Sequence, residues 1–253
     1  MKKILVYDFP TRVFHWFFAI FFIGAFFIAK FIDDDSPIYP YHMMMGFIMT
    51  FMVILRIFWG FTGSRWSRFS SFTLKPRELK KYIKDLIYSK TQKYTGHNPA
   101  SSWAAVLMIF LTFGLAFTGY MMTSDNKAEF FEGLHEIFST IFITIVIVHV
   151  LGVIFHTLRH RDNLAMSMIN GKKIGLEEKR ICKPKIISGL VFLCLIGLFT
   201  LYLYNHYNPT TGKLTIFNNA LQLSEVDDEV STHEYKDQIK EREEKHEGKE
   251  NDD

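Results

Sequence analysis

The chain has 253 residues, 49% of them hydrophobic and 16% aromatic, with 26 phenylalanines and a formal net charge of +3. One soluble core of this size has no use for so much apolar surface, and a water-soluble helical protein would leave five consecutive elements without a polar face. The basic residues sit where membrane topology calls for them, so nucleic-acid binding is not expected.

In chain order, the apolar blocks run Val13–Phe31, His42–Trp59, Trp103–Met122, Gly133–His156 and Ile186–Tyr204. Each approaches the ~20 residues that a helix needs to cross a hydrocarbon core of ~30 Å. They predict five transmembrane helices. The first block is long and Phe-rich, lacks a small-x-small cleavage site and ends on Lys30 before an acidic turn, so it is not read as a cleaved signal peptide. Between the second and third blocks, "TLKPRELKKYIKDLIY" spaces Leu79, Ile83, Leu86 and Ile87 near-helically among basic residues. That pattern predicts a short helix lying on the membrane surface. Cys182 and Cys194 form no CxxC or CxxCH motif, which argues against a disulfide scaffold, a cysteine-held cluster or covalent haem attachment. Cys194 reads as a small apolar filler in the fifth helix.

Flanking charge sets the expected orientation. The 61–100 connection carries nine Lys/Arg against two acids, and 159–185 carries eight against three. The opposite connections are acidic, with "DDD" at Asp33–Asp35 and "DNKAEFFE" at Asp125–Glu132. By the positive-inside rule the N-terminus and both basic segments are cytoplasmic, and the fifth helix carries the C-terminal tail to the exterior. Residues 1–204 balance at +10 and residues 205–253 at −7, so two oppositely charged regions hide behind the small net value. The tail is expected to be partly loose, with a solvated helix open to it around Glu234–Glu244.

Imidazoles inside hydrocarbon are costly without partners. His15 lies near the cytoplasmic start of the first helix and His149 towards the cytoplasmic side of the fourth; His42 and His135 lie near the exterior ends of the second and fourth. The four form two pairs matched by depth. His135 and His149 are fourteen residues apart, so they are separated by ~21 Å of rise and differ by only ~40° in direction. One helix face thus presents imidazoles at two depths, an arrangement that two stacked bis-histidine haems would use. Zinc would want clustered carboxylates or cysteines, and copper three histidines at one depth; neither pattern is present. The plainer alternative is that each histidine merely hydrogen-bonds across helices. His156, seven residues past His149, is the rival to it as ligand.

Around these levels, Gly46 lies one turn from His42, and Phe142 sits seven residues from both His135 and His149, placed either between two macrocycles or facing lipid. The third helix offers Gly114 and Gly119 but no histidine, and so reads as packing support. Arg12 and Arg56 fall near the cytoplasmic end, as propionate partners or as snorkelling cations.

"FPTRVFHW" (Phe9–Trp16), His42, "RIFWGFTG" (Arg56–Gly63), "GHNPAS" (Gly96–Ser101), the His135/His149 pair and "HRDNLAMSMINGKK" (His160–Lys173) together resemble the prokaryotic cytochrome b561 family, including B-type cytochrome subunits of nickel–iron hydrogenases. The resemblance spans about residues 5–175. It implies an all-α integral membrane protein whose four-helix bundle holds two non-covalent b-type haems. His15 and His149 would ligate the cytoplasmic-side haem, His42 and His135 the exterior one. It further implies electron transfer between a periplasmic redox partner, a cytochrome or a hydrogenase-like subunit, and membrane quinone. The expected location is the bacterial inner membrane, among lipid, with a second copy of the chain as a further candidate partner. The expected division is 1–175 for the dihaem domain including the cytoplasmic 61–100 connection, 176–204 for a basic linker and fifth helix, and 205–253 for an acidic exterior tail. A haem-bearing anchor for an exterior enzyme and a haem-free proton or ion pathway are the alternatives.

Overall fold

The computed structural model describes residues 2–88, 94–123, 128–160, 164–216 and 219–223. The remainder of the predicted tail, including any helix around Glu234–Glu244, lies outside them. Five helices are long and apolar enough to cross a membrane: α1 (Phe9–Phe31), α2 (Pro40–Thr62), α4 (Pro99–Met122), α5 (Ala128–His160) and α7 (Ile186–His206). Two shorter helices, α3 (Pro76–Ile87) and α6 (Leu164–Asn170), sit in the basic connections. As its pattern predicts, α3 buries none of its residues and leaves Ile83 and Ile87 exposed on its apolar side.

Several spanning helices begin before their apolar blocks because caps, rather than hydrophobicity, set the boundaries. Asp8 caps α1 by accepting from the Thr11 amide, and Asn98 caps α4 by accepting from the Ser101 amide. Pro10, Pro40 and Pro99 then occupy first-turn positions, where a missing N–H costs nothing.

Asp8 does more than cap. It has no exposed surface, and its Oδ2 accepts from Trp59 Nε1 at 3.0 Å, Ser67 Oγ at 3.1 Å and the Ser64 amide at 3.3 Å. One carboxylate thereby fastens the start of α1 to the end of α2 and the turn beyond it. Bonds to an ionised acceptor are the strong class, so this junction is stiff.

Short strands close the same end of the bundle, which the sequence pattern does not announce. β1 (Lys2–Leu5) pairs antiparallel with β2 (Lys172–Gly175), Lys2 opposite Gly175 and Leu5 opposite Lys172. Just before β2, Gly171 has φ +76°, and its carbonyl accepts from the Val6 and Tyr7 amides. A Cβ there would lie 2.6 Å from the Tyr7 carbonyl oxygen, so only glycine fits. Ile4, Val6 and Tyr7 form a small buried cluster against Trp66 and Met168. Two further side chains pin α6 to α1: Arg12 Nη1 donates to the Ile169 carbonyl, and Trp16 Nε1 to the Met168 carbonyl at 3.1 Å.

At the opposite end, the chain after α7 folds back as β3 (Tyr207–Asn208), β4 (Lys213–Ile216) and β5 (Asn219–Gln222), an antiparallel meander. Leu214, Leu221 and Leu223 are buried against Met44, Ile48 and Met52 of α2 and Leu203 of α7. The first part of the expected tail is therefore a packed element of the protein.

Helix α1 packs along α2, α4 along α5, and α7 against α1 and α2. Among the described residues α5 makes no extended backbone packing with α1 or α2. The two pairs are joined by α2 packing on α4, while α5 meets α1 and α2 mainly through side chains, which leaves a slot between them.

Replacing Asp8 with alanine strands the buried Trp59 indole N–H, at ~1–3 kcal/mol for an unsatisfied group, while Ser67 keeps the Ser64 carbonyl at 2.8 Å. Thermal unfolding in detergent should show Asp8→Ala several degrees below the parent, with Asp8→Asn in between because one acceptor oxygen survives.

Candidate functional site

The slot holds the four histidines picked out by depth. All four are half-buried. Towards the β3–β5 end, the His42 and His135 rings meet edge-to-face across it, with centroids 6.3 Å apart and planes at 68°. Each ring has its Nδ1 engaged. His42 Nδ1 lies 2.8 Å from the Ala25 carbonyl, which can only accept, so this nitrogen carries the proton. His135 Nδ1 lies 2.8 Å from Thr118 Oγ1, whose own proton is directed at the Gly114 and Leu115 carbonyls at 3.0 and 3.1 Å. Both imidazoles are therefore in the tautomer that leaves Nε2 with a free lone pair, the form a metal takes. Tyr39 stacks on His42 with centroids 6.0 Å apart. Its phenol is raised above the ordinary value by burial and then by Asp34 and Glu132, which ties the acidic α1–α2 turn to the start of α5.

The second level is nearer the β1–β2 end. His15 stands edge-on to Trp16 at 5.2 Å. His15 Nδ1 is buried without a partner. Between the two levels Phe142 reaches from α5 to α1, 5.1 Å from the Phe22 ring and 6.3 Å from that of Phe18. It is 1% exposed, which removes the lipid-facing reading.

Buried polar atoms without partners are expensive, so their location is informative. Among the described residues they are Thr11 Oγ1, Arg12 Nε, His15 Nδ1, Arg56 Nη1, His97 Nε2 and Trp103 Nε1. All come from the α1 start, the α2 end or the α4 start, the same end of the bundle. Arg56 is 5% exposed, with its guanidinium 5.2 Å over the Phe69 ring. Arg12 is less free, since it already holds the Ile169 carbonyl and lies 5.3 Å over Phe9. Neither arginine snorkels away from the bundle.

These observations test whether the donor set fits a haem. Among the described residues no group of three or more His, Cys, Asp or Glu is gathered for a metal ion, so any metal here takes paired imidazoles and finds its other ligands elsewhere. A porphyrin supplies four ring nitrogens and needs two axial ones. Two metal–imidazole bonds of ~2 Å plus two half-rings match the 6.3 Å separation of His42 and His135. A Cβ on Gly46, one turn from His42, would meet nothing within 4 Å, so the flank beside the pair is open. The orphaned Arg56 nitrogen suits a propionate. The residues fit.

Helix α4 has a larger part than the sequence pattern indicates. Gly114 lets α4 approach Phe138 closely, and Gly119 lies against the His135 ring, as packing support predicts. Thr118 and His97 are the functional candidates that sequence reasoning leaves out. A buried threonine seventeen residues before a histidine carries no periodic signal. His97 is visible in "GHNPAS", but only the fold places it: its ring lies 4.7 Å from Phe72, and it donates to the Trp66 carbonyl. His156 falls two turns beyond His149 on α5 and remains the rival to it, while the side chain of His160 lies outside the described residues.

Burial, followed by the charges of Arg56 and Lys173, pushes the His97 imidazole down to about 4. In the unfolded chain it protonates near ~6.5. Proton uptake then favours unfolding as pH falls from about 6.5 to about 4, with no contribution above that window. Melting measured at pH 7.5 and pH 5 should show a smaller acid loss for His97→Gln than for the parent.

Residues 6–171 match the family model described as prokaryotic cytochrome b561. Among curated relatives, the "Probable Ni/Fe-hydrogenase B-type cytochrome subunit" of Rhodobacter capsulatus is 23% identical, over 70% of this chain and 84% of that protein. The protein of the same name from Rhizobium leguminosarum bv. viciae is 21% identical over 68% and 90%. The "Probable Ni/Fe-hydrogenase 1 B-type cytochrome subunit" of Escherichia coli K12 is 21% identical over 66% and 88%. No solved structure matches. With α1, α2, α4 and α5 all inside the matched span, the chain belongs to the prokaryotic cytochrome b561 family and is a haem-bearing membrane electron-transfer subunit.

Proposed function

We propose that the chain carries two b-type haems and passes electrons between an exterior redox partner and membrane quinone. The observation that carries this reading is the His42–His135 pair: two imidazoles that meet across the slot, both Nδ1 atoms engaged, at a separation one iron would span. The exterior haem takes His42 and His135. The other takes His15 and His149, with Arg56, and Arg12 through its remaining Nε, holding propionates. Lys/Arg-rich connections favour a cytoplasmic N-terminus and an exterior β3–β5 meander in a bacterial inner membrane. Residues 1–175 form the electron-carrying unit; 176–204 and 205–253 are additions to it.

Bound haem supplies a one-electron ferric/ferrous couple. The protein does the rest. His15, His42, His135 and His149 would hold the haems through ring nitrogens, and iron so held would favour electron passage over oxygen binding. Helix α5 sets the two levels ~21 Å apart through the rise between His135 and His149, and Phe142 fills the interval, excluding water. The relatives' names point to a hydrogenase as the exterior partner. The polar end around Arg56 and His97 is where a quinone would meet the inner haem and exchange protons with the cytoplasmic side.

In redox difference spectra, His42→Ala and His135→Ala should each remove the same haem component, and His15→Ala and His149→Ala the other. Loss of the inner component in His156→Ala, with His149→Ala unaffected, overturns the ligand assignment. Arg56→Gln should lower the inner potential by about 60 mV, tenfold in a one-electron equilibrium, because the reduced haem loses a cation. In vesicles, quinol should reduce both components; failure of quinol to reduce either counts against the quinone link.

A further inference from the structure

Helix α4 contributes no histidine, yet it holds one end of a hydrogen-bond relay onto His135. Thr118 is fully buried, with its hydroxyl proton committed to the Gly114 and Leu115 carbonyls. What it offers His135 Nδ1, 2.8 Å away, is an oxygen lone pair. His42 has its equivalent bond from a backbone carbonyl, that of Ala25. Of the two imidazoles, then, His42 is oriented by main chain alone, whereas His135 has a side-chain hydroxyl beside its bond to the Leu115 carbonyl.

An acceptor on the N–H of a metal-bound imidazole draws that proton away from the ring and makes the ligating nitrogen a stronger electron donor. Stronger donation favours ferric over ferrous iron. Polarisation of the Thr118 hydroxyl by two carbonyls strengthens it as an acceptor. Loss of the hydroxyl would leave Nδ1–H to the Leu115 carbonyl alone, a change of both acceptor and ring orientation.

We propose that Thr118 is a positioning residue that fixes the tautomer and plane of His135 and sets a low potential for the exterior haem relative to a site without this hydroxyl. The proposal rests on the haem reading above and adds the tuning side chain to it. Through Thr118 the third spanning helix influences electron flow without touching iron.

The test uses full-length protein in detergent, with Thr118→Val and Thr118→Ser. Thr118→Val keeps shape and removes the acceptor; Thr118→Ser keeps the hydroxyl and removes a methyl. The readouts are the midpoint of the haem component that His42→Ala abolishes and the low-spin ferric paramagnetic spectrum of that component. Thr118→Val should raise the midpoint by about tenfold in the ferric/ferrous equilibrium, ~59 mV for one electron, and shift the ferric signal. The other component should stay put, and Thr118→Ser should return both readouts towards the parent. Loss of the exterior haem from Thr118→Val with its retention in Thr118→Ser also supports the anchor role. An unchanged midpoint in Thr118→Val, or equal changes in both variants, overturns it while leaving the haem assignment standing. Absence of any low-spin haem from the parent protein overturns both.

Discussion

A ring nitrogen inside hydrocarbon has to be satisfied, and everything distinctive about this bundle follows from how four imidazoles meet that requirement. At the His42–His135 level the protein satisfies each Nδ1 itself, with the Ala25 carbonyl and the Thr118 hydroxyl, and so presents two Nε2 lone pairs to a shared space. At the His15–His149 level it does not. There His15 Nδ1 is left without a protein partner, alongside the Arg56 and Arg12 nitrogens. The first level is the pair that the proposed function reads as haem ligands. The second gathers buried polar nitrogens of His15, Arg12 and Arg56 at one end of the bundle, the chemistry that the proposed propionates would use.

The rest of the fold serves to hold that difference in place. Asp8 locks the α1 start to the α2 end, so Arg12, His15 and Arg56 approach the second level from fixed directions. The β1–β2 pair and α6 cover the same end, and Trp16, next to His15, is bonded into that cover. At the other end the β3–β5 meander packs on α2 below His42. Helix α7 and this meander lie beyond the family-matched span, yet Phe192 meets Trp59 and Phe199 stacks on Phe51 within the bundle. They brace α2, the helix that carries both His42 and Arg56.

Long-period features were legible in the sequence because hydrocarbon imposes them. Five spans, the surface position of α3 and the two-level spacing of His135 and His149 all follow from helix rise and apolar length. Phe142 could be placed between levels but not assigned a direction; burial against Phe18 and Phe22 decides that. What stayed hidden is local or long-range pairing without periodicity. Lys2–Leu5 and Lys172–Gly175 are four-residue strands far apart in the chain, and neither alternates clearly enough to be read alone. Asp8 carries no sequence signal for its role as a hub for four donors. Thr118 sits in an apolar helix with no periodic signal that would link it to His135. Leu214, Leu221 and Leu223 sit in a polar, charged tail whose composition masked their packing.

The central claim is two iron porphyrins gripped by four imidazoles, and haem content per folded chain tests it most directly. Pyridine-haemochrome analysis of purified, monodisperse protein should give two non-covalent b-type haems per chain. A ratio of zero or one in protein that retains its helical structure would contradict the account.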